Sequence, residues 1–409
     1  MVVVAFVAPY LLEATTRFAV AAARLPDVRL GLVTTESLEN VPPSLREALA
    51  GHWRVADALD PQQIADAVRG LGSQLGDVER LVGALEQLQV PLAQVRGELG
   101  IDGMDVQTAH NVRDKSRMKS VLRAAGVPCA RHQLVTRTDE ATAFLAEVGL
   151  PVVAKPPSGA GAQATYRLDT EQDFASWLRS AQANPAETWL LEEYLTGREH
   201  SLDSATVDGQ TLWSSISDYE PAPLDVLRNP WIQWSVVLPR ELGGAEYEAI
   251  RDVGPAALRA LGIRTAFSHM EWFERPDGSV AVSEVGARPP GAQISSMIGL
   301  AYDIDFHRVW AQLVIDSTFT PADRVFAVGT VYLRGQGRGR VRAVHGVDEV
   351  RSELGPLLVD ARWPHPGQPA ASSYEGEGFV TVRHPETAVV RAALDRIQAG
   401  VRVELVEDE

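Results

Sequence analysis

Two glutamates, Glu271 and Glu284, stand in apolar company: Met270 and Trp272 flank the first, and Val282 and Val285 lie beside the second. A carboxylate turned inward on such segments carries an unpaired charge into a dry place, which is costly. A divalent cation relieves that cost, and two hard oxygen ligands suit Mg²⁺. Periodicity alone equally allows both glutamates to face solvent. Lys155 closes an apolar run and opens onto Pro156, Pro157 and the small residues Ser158–Ala162. A fixed positive charge beside exposed backbone N–H groups can hold polyphosphate, although such a loop is also read as an ordinary turn. Arg288 follows Glu284 closely, before Pro289, Pro290 and Gly291. Its guanidinium could grip a carboxylate or acyl phosphate through two parallel bonds, or sit in a surface ion pair. His269 is near Glu271. Alternation is expected to turn it away, and a structural histidine competes with a general base.

Other spacings carry less. Cys129 and His132 have metal-like spacing but no further cluster, so zinc is not expected. The run from Arg334 to Arg340 alternates arginine and glycine and reads as a turn rather than an RNA contact. Trp231 and Trp234 read as core or loop anchors. They end a long, proline-containing segment, Asp218–Trp234, expected to shape a substrate pocket.

These residues need elements to hold them. Val2–Ala8 reads as a buried strand, 14–25 as a helix and Arg29–Thr34 as a second strand, a doubly wound opening. No Gly-x-Gly-x-x-Gly follows the first strand, so a dinucleotide fingerprint is absent. This unit should end near Asn111. A helix then starts at Asp114 and stops at Gly126. Strands are expected at Pro151–Lys155, Trp189–Leu195, Ser201–Val207 and Ser235–Leu238, with a helix over Ala245–Leu261. His269–Phe273 and Val280–Val285 should form a hairpin through Pro276, Asp277 and Gly278. From Phe326 a mostly β cap is expected.

The chain has 409 residues and a formal net charge of −16. An acidic surface repels nucleic-acid phosphates and anionic lipids, so neither nucleic acid nor membrane is an expected partner. The single cysteine allows no internal disulfide, which fits a reducing cytoplasm. The apolar start lacks a basic region and a small-residue cleavage site, so a buried strand is preferred to a signal peptide.

Taken together the motifs resemble the ATP-grasp superfamily. Asp114, Lys115, Met118 and Lys119, running to Ala125–Pro128, resemble its opening helix. Val152–Lys155 with the small-residue loop resembles its second lysine and phosphate grip. Glu192–Gly197 with Glu199 looks like its hinge, and His269–Arg288 like its metal hairpin and substrate arginine. Within the superfamily the chain most resembles carboxylate–amine ligases that join amino acids. Glu98–Gly103 fits this group, and the glycine- and valine-rich C-terminal region with Glu377–Val382 resembles its lid.

The resemblance implies a Rossmann-like N-terminal domain (1–112), an ATP-grasp small lobe (113–195) and large lobe (196–325), and a β-rich lid (326–409), an α/β fold overall. It implies ATP and Mg²⁺. Lys115 and Lys155 would contact the nucleotide, and the loop of Ser158, Gly159, Ala160 and Gly161 would close on its phosphates. Glu192 and the backbone of Glu193 and Leu195 would line the adenine, and Glu199 would accept from the ribose hydroxyls. Glu271 and Glu284 would hold the metal, and Arg288 would steady an acyl phosphate, with Lys155 assisting phosphoryl transfer. Many relatives carry asparagine where this chain has Gly286, which bears on the number of metal ions. The reaction implied joins a small carboxylate to an amine through an acyl phosphate. The alternatives are activation of bicarbonate or formate, and ATP binding without catalysis. Relatives include dimers, so a homodimer is open.

Overall fold

The computed structural model describes residues 1–157, 165–182, 188–229, 232–371, 373 and 375–407. Among these residues the strands gather into four sheets. The first contains β1 (Val2–Ala8), β2 (Val28–Thr34), β3 (Gly51–Arg54) and β4 (Arg80–Val82), paired in parallel in the order β3-β2-β1-β4. β1 is a continuous apolar run because both of its faces are covered. One cover is the helix Pro61–Leu75, where Ile64, Val68, Leu71 and Leu75 fall at helical spacing and are buried. Asp60 starts that helix by accepting a hydrogen bond from the Gln62 amide. On the other side Phe6 of β1 meets Trp310 of the helix Phe306–Asp316, with ring centroids 6.3 Å apart. Strand order reverses between β1 and β4, which opens a crevice at their carboxyl ends.

A second sheet holds β5 (His132–Val135), β6 (Val152–Lys155), β7 (Tyr166–Leu168) and β8 (Trp189–Glu193), antiparallel in the order β5-β8-β6-β7. The helices Thr138–Val148 and Glu171–Gln182 pack on it through Phe144, Phe174 and Trp177.

The largest sheet carries β9 (Arg198–Val207), β10 (Gln210–Glu220), β11 (Trp234–Leu238), β12 (Ala266–Glu274), β13 (Val280–Gly286) and β14 (Ala327–Leu333). After β15 (Gly335–Gln336) and β16 (Arg340–His345), β17 (Leu358–Arg362) and β18 (Gly378–His384) return to it, and β19 (Arg402–Val406) pairs with β15 and β16 in a small fourth sheet. The large sheet runs β13-β12-β9-β10-β11-β14-β18-β17, antiparallel throughout. One face packs against the helix Ala245–Leu261 through Leu202, Ile216, Met270 and Trp272. The opposite face carries Glu271, His269, Asp203 and Tyr219.

Two expectations need correction. The segment Asp218–Trp234 is not one long loop: Asp218 to Glu220 complete β10, and Pro223–Arg228 is a short helix. Polar residues hid that strand, because Ser215 and Ser217 are buried beside β9. The region after Phe326 is not mostly β, for it contains the helices Val347–Leu354 and Thr387–Gly400, and three of its strands extend the large sheet. Trp234 is a core anchor, stacked on Tyr332 at 4.5 Å, whereas Trp231 lies outside the described residues. Arg334 is buried and donates to the carbonyls of Val226, Asn229 and Ile232, a structural use of the arginine–glycine run. Among the described residues no helix is long and apolar enough to cross a membrane.

Candidate active site

A cleft enclosing about 1340 Å³ of empty space, mouth included, lies between the second sheet and the large one. Its walls bring together Lys115, Lys155, Glu192, Glu193, Leu195, Glu199, Glu271, Glu284 and Arg288. Ser158, Gly159, Ala160 and Gly161 lie outside the described residues.

The floor is the hairpin β12–β13. Glu271 and Glu284 are direct cross-strand partners, with a register shift just after Glu271. Direct partners share a face, so both carboxylates lie on the cleft side while Met270 and Trp272 alternate to the core. Their surroundings differ. Lys115 Nζ is 2.7 Å from Glu284 Oε1. Burial works to raise the Glu284 carboxyl, but Lys115 and Lys155 hold it well below the ordinary carboxylate range. Glu271 moves the opposite way, pushed up by burial and then by the Glu284 charge opposite it.

Lys155 ends β6, and its Nζ lies 2.9 Å from Glu192 Oε2 on β8. Glu192 is also 3.3 Å from Lys119, which is wholly buried and donates to the Ser283 carbonyl. Burial depresses the Lys119 ammonium despite the pull of Glu192. For Lys155 the attraction of Glu192 and Glu284 outweighs burial and raises it. The Glu192 carboxyl stays below its ordinary range because the two lysines overcome the cost of burial. Glu193 also lines the cleft, and its side chain lies 2.6 Å from Arg131 Nε. Leu195 packs on Ala130 and Ala281.

His269 does not turn away from Glu271. Residues two apart on a strand share a face, and His269 Nε2 lies 4.0 Å from Glu271 Oε1. Its Nδ1 is 2.8 Å from Asp203 Oδ1, and Tyr219 Oη is 3.5 Å from Nε2. Beyond them, Pro223, Leu224, Trp234 and Ile294 give the cleft an apolar end.

Arg288 Nε donates to Glu86 Oε2 at 3.1 Å, and Nη1 donates to the Pro289 carbonyl. Sequence reasoning gave no role to Glu86 or Lys119. Glu86 follows β4 at the crevice where strand order reverses, a place where ligand-facing residues collect. Lys119 lies one helical turn after Lys115 on the same buried face. Both signals were present.

Comparison with known proteins bears on this arrangement. Residues 114–204 match the family model of the carbamoyl-phosphate synthase L chain ATP-binding domain. The L-amino acid ligase from Bacillus licheniformis superposes with a TM-score of 0.79 at 18% identity, covering 100% of this chain and 99% of that one. The chain carries an ATP-grasp fold. N5-carboxyaminoimidazole ribonucleotide synthetase from Thermotoga maritima shares this ATP-grasp fold, with a TM-score of 0.72, 16% identity and full coverage of both chains. In sequence, an L-arginine-specific L-amino acid ligase of Bacillus subtilis is 27% identical over 237 residues, 56% of either chain. The chain spans less than two thirds of the length of the first curated relatives it matches.

Among the described residues no three His, Cys, Asp or Glu side chains cluster to hold a metal. Two opposed carboxylates, one of them destabilised by its neighbour's charge, still fit a hard divalent cation that takes its other ligands from phosphate and water. Gly286 faces His269 in the ladder. A Cβ there would meet only the Arg288 side chain, at 3.5 Å, an ordinary contact.

Proposed function

We propose that this chain is an ATP-dependent carboxylate–amine ligase, forming an amide through an acyl phosphate. The observation that carries the reading is the Glu271–Glu284 pair, set in one cleft with Lys115, Lys155 and Arg288. A carboxylate is a poor electrophile, since amine attack on it would have to expel oxide. Phosphorylation supplies a leaving group, and the charges of this cleft are placed to neutralise such a transfer.

In this reading Lys155 and Lys115 hold the nucleotide's phosphates. Glu192 keeps Lys155 and Lys119 in place, and with the backbone of Glu193 and Leu195 it lines the adenine. Glu199 serves the ribose, and the loop of Ser158, Gly159, Ala160 and Gly161 covers the phosphates. Glu271 and Glu284 would hold Mg²⁺, which when bound would neutralise phosphate charge. Arg288 steadies the activated carboxylate. The apolar end beside Tyr219 and Leu224 receives the substrates, excluding water that would otherwise hydrolyse the acyl phosphate. The N-terminal, ATP-grasp and lid divisions at 112, 195 and 325 remain part of this proposal, as does action in the cytoplasm on small molecules.

The test is ADP release from Mg²⁺-ATP with amino acids offered singly and in pairs, with mass spectrometry of the products. ADP that depends on both an acid and an amine, with a product lighter by one water, is the expected result. ADP formed with bicarbonate or formate alone would replace the amine ligase by a carboxylate-activating relative. Nucleotide binding without turnover on any set would replace it by a binding protein.

A further inference from the structure

Glu86 stands outside the ATP-grasp lobes, in a short turn, Glu86–Leu88, after β4 of the N-terminal sheet. Its side chain is nearly sealed, 8% exposed, yet both oxygens are engaged. Oε1 is 3.0 Å from Arg113 Nη1, and Oε2 accepts from Arg288 Nε at 3.1 Å. Arg113 ends the helix Val106–Arg113, and after Asp114 the next helix begins with Lys115. Lys115 reaches Glu284, and the chain from Glu284 returns within one short loop to Arg288. The charges therefore close a ring: Glu86, Arg113, Lys115, Glu284, Arg288 and back to Glu86. It joins the N-terminal sheet to the hairpin that bears the candidate metal carboxylates.

We propose that Glu86 is a positioning residue that aims Arg288 at the activated carboxylate, so that the N-terminal domain governs whether the acyl phosphate reaches the amine or is lost to water. The inference rests on the ligase reading above. An arginine side chain turns about every bond from Cα to Nε and can adopt many orientations, whereas charge-assisted bonds to a buried carboxylate fix one. Nε is the nitrogen that Glu86 engages, which orients the plane of the guanidinium. If that hold is lost, the acyl phosphate loses a fixed partner, and water can attack in place of the amine. The acid is then returned, phosphate is released, and ATP is consumed without amide.

The test uses the full chain carrying Glu86→Gln, which keeps the shape and removes the charge. ADP and amide are measured together, with Mg²⁺-ADP affinity by calorimetry. Arg288 is labelled with phenylglyoxal and followed by mass spectrometry. The expected result is amide formation lower by about tenfold, the scale of one charge-assisted hydrogen bond. ADP per amide should rise clearly above that of the unaltered chain, Arg288 should label several times faster, and Mg²⁺-ADP affinity should be unchanged. An unaltered Arg288 labelling rate, or an unaltered ratio of ADP to amide, overturns the proposal. A merely structural role would lower all activities together and leave that ratio constant. Should the glutamine variant fail to fold, Glu86→Asp, which retracts the charge by one methylene, is read the same way. If the unaltered chain forms no amide from any pair, the ligase reading falls. The labelling comparison then decides by itself whether Glu86 holds Arg288.

Discussion

Glu271 and Glu284 face each other across adjacent strands, and Lys115 approaches the second of them to 2.7 Å. The two carboxylates are therefore unequal before any cation arrives. Glu271→Gln removes a repulsion, whereas Glu284→Gln leaves a buried lysine without its carboxylate, at a cost of about 1–3 kcal/mol. In Mg²⁺-free buffer the melting temperature should rise for Glu271→Gln and fall for Glu284→Gln, while both lose ADP formation. Equal shifts in melting temperature would remove the asymmetry, and full turnover in Glu284→Gln would remove its metal role.

Lys119 offers a second test. It is fully buried and shares Glu192 with Lys155. Breaking one side of a buried charge network costs about 3 kcal/mol or more. Lys119→Met should lower the melting temperature by several degrees and weaken Mg²⁺-ADP binding, because Glu192 is left to Lys155 alone. A variant as stable and as tightly binding as the original would show that Lys119 is incidental.

The pH dependence of stability should have a component from Asp218. This buried carboxylate lies 2.8 Å from His200 Nδ1 and 2.5 Å from Arg391 Nη2, and Tyr247 Oη donates to it. Burial raises its pKa, but the hydrogen bond and charge of His200, then Arg391, carry it below the ordinary range. A lowered carboxylate stabilises the fold above its unfolded value, about pH 4, and that stabilisation is lost as pH falls through the folded value. Urea midpoints of the unaltered chain and Asp218→Asn should therefore differ more at pH 7 than at pH 3.5. A gap of constant size would mean that the charge of Asp218 contributes nothing.

Gly286→Asn tests the departure from many relatives. The backbone there is ordinary and a Cβ finds room, so the melting temperature should stay nearly the same. An added oxygen beside Glu284 should lower the Mg²⁺ concentration needed for half-maximal ADP formation. An unchanged requirement would mean that the side chain at 286 does not reach the cation.

Much of this arrangement was legible in the sequence. Val2–Ala8, Ala245–Leu261 and the β12–β13 hairpin announced themselves through unbroken apolar runs, a helical period and a Pro-Asp-Gly turn. Lys155, Glu271, Glu284 and Arg288, singled out by residue type and spacing, come together in one cleft. β10 was not, since its buried serines imitate a loop. Nor were the helices Val347–Leu354 and Thr387–Gly400, which sit among strands in a glycine- and valine-rich region. The partners that tune the site escaped for another reason. Glu86 meets Arg288, and Asp203 meets His269, across long stretches of chain, and local pattern carries no information about such meetings.

The large sheet runs without interruption from β13, which bears Glu284, to β17 near the C-terminal end. Hydrogen-bonded strands cannot swing independently, so the β12–β13 hairpin and the C-terminal region form one mechanical body. The second sheet is a separate piece. Its last strand connects to β9 through Tyr194–Gly197, where Gly197 has φ 141° and sits against the Glu274 carbonyl. Any opening of the cleft would therefore turn a jaw carrying Lys155 and Glu192 against an anvil that carries the carboxylates. A nucleotide gripped by both would be the pin that holds them shut.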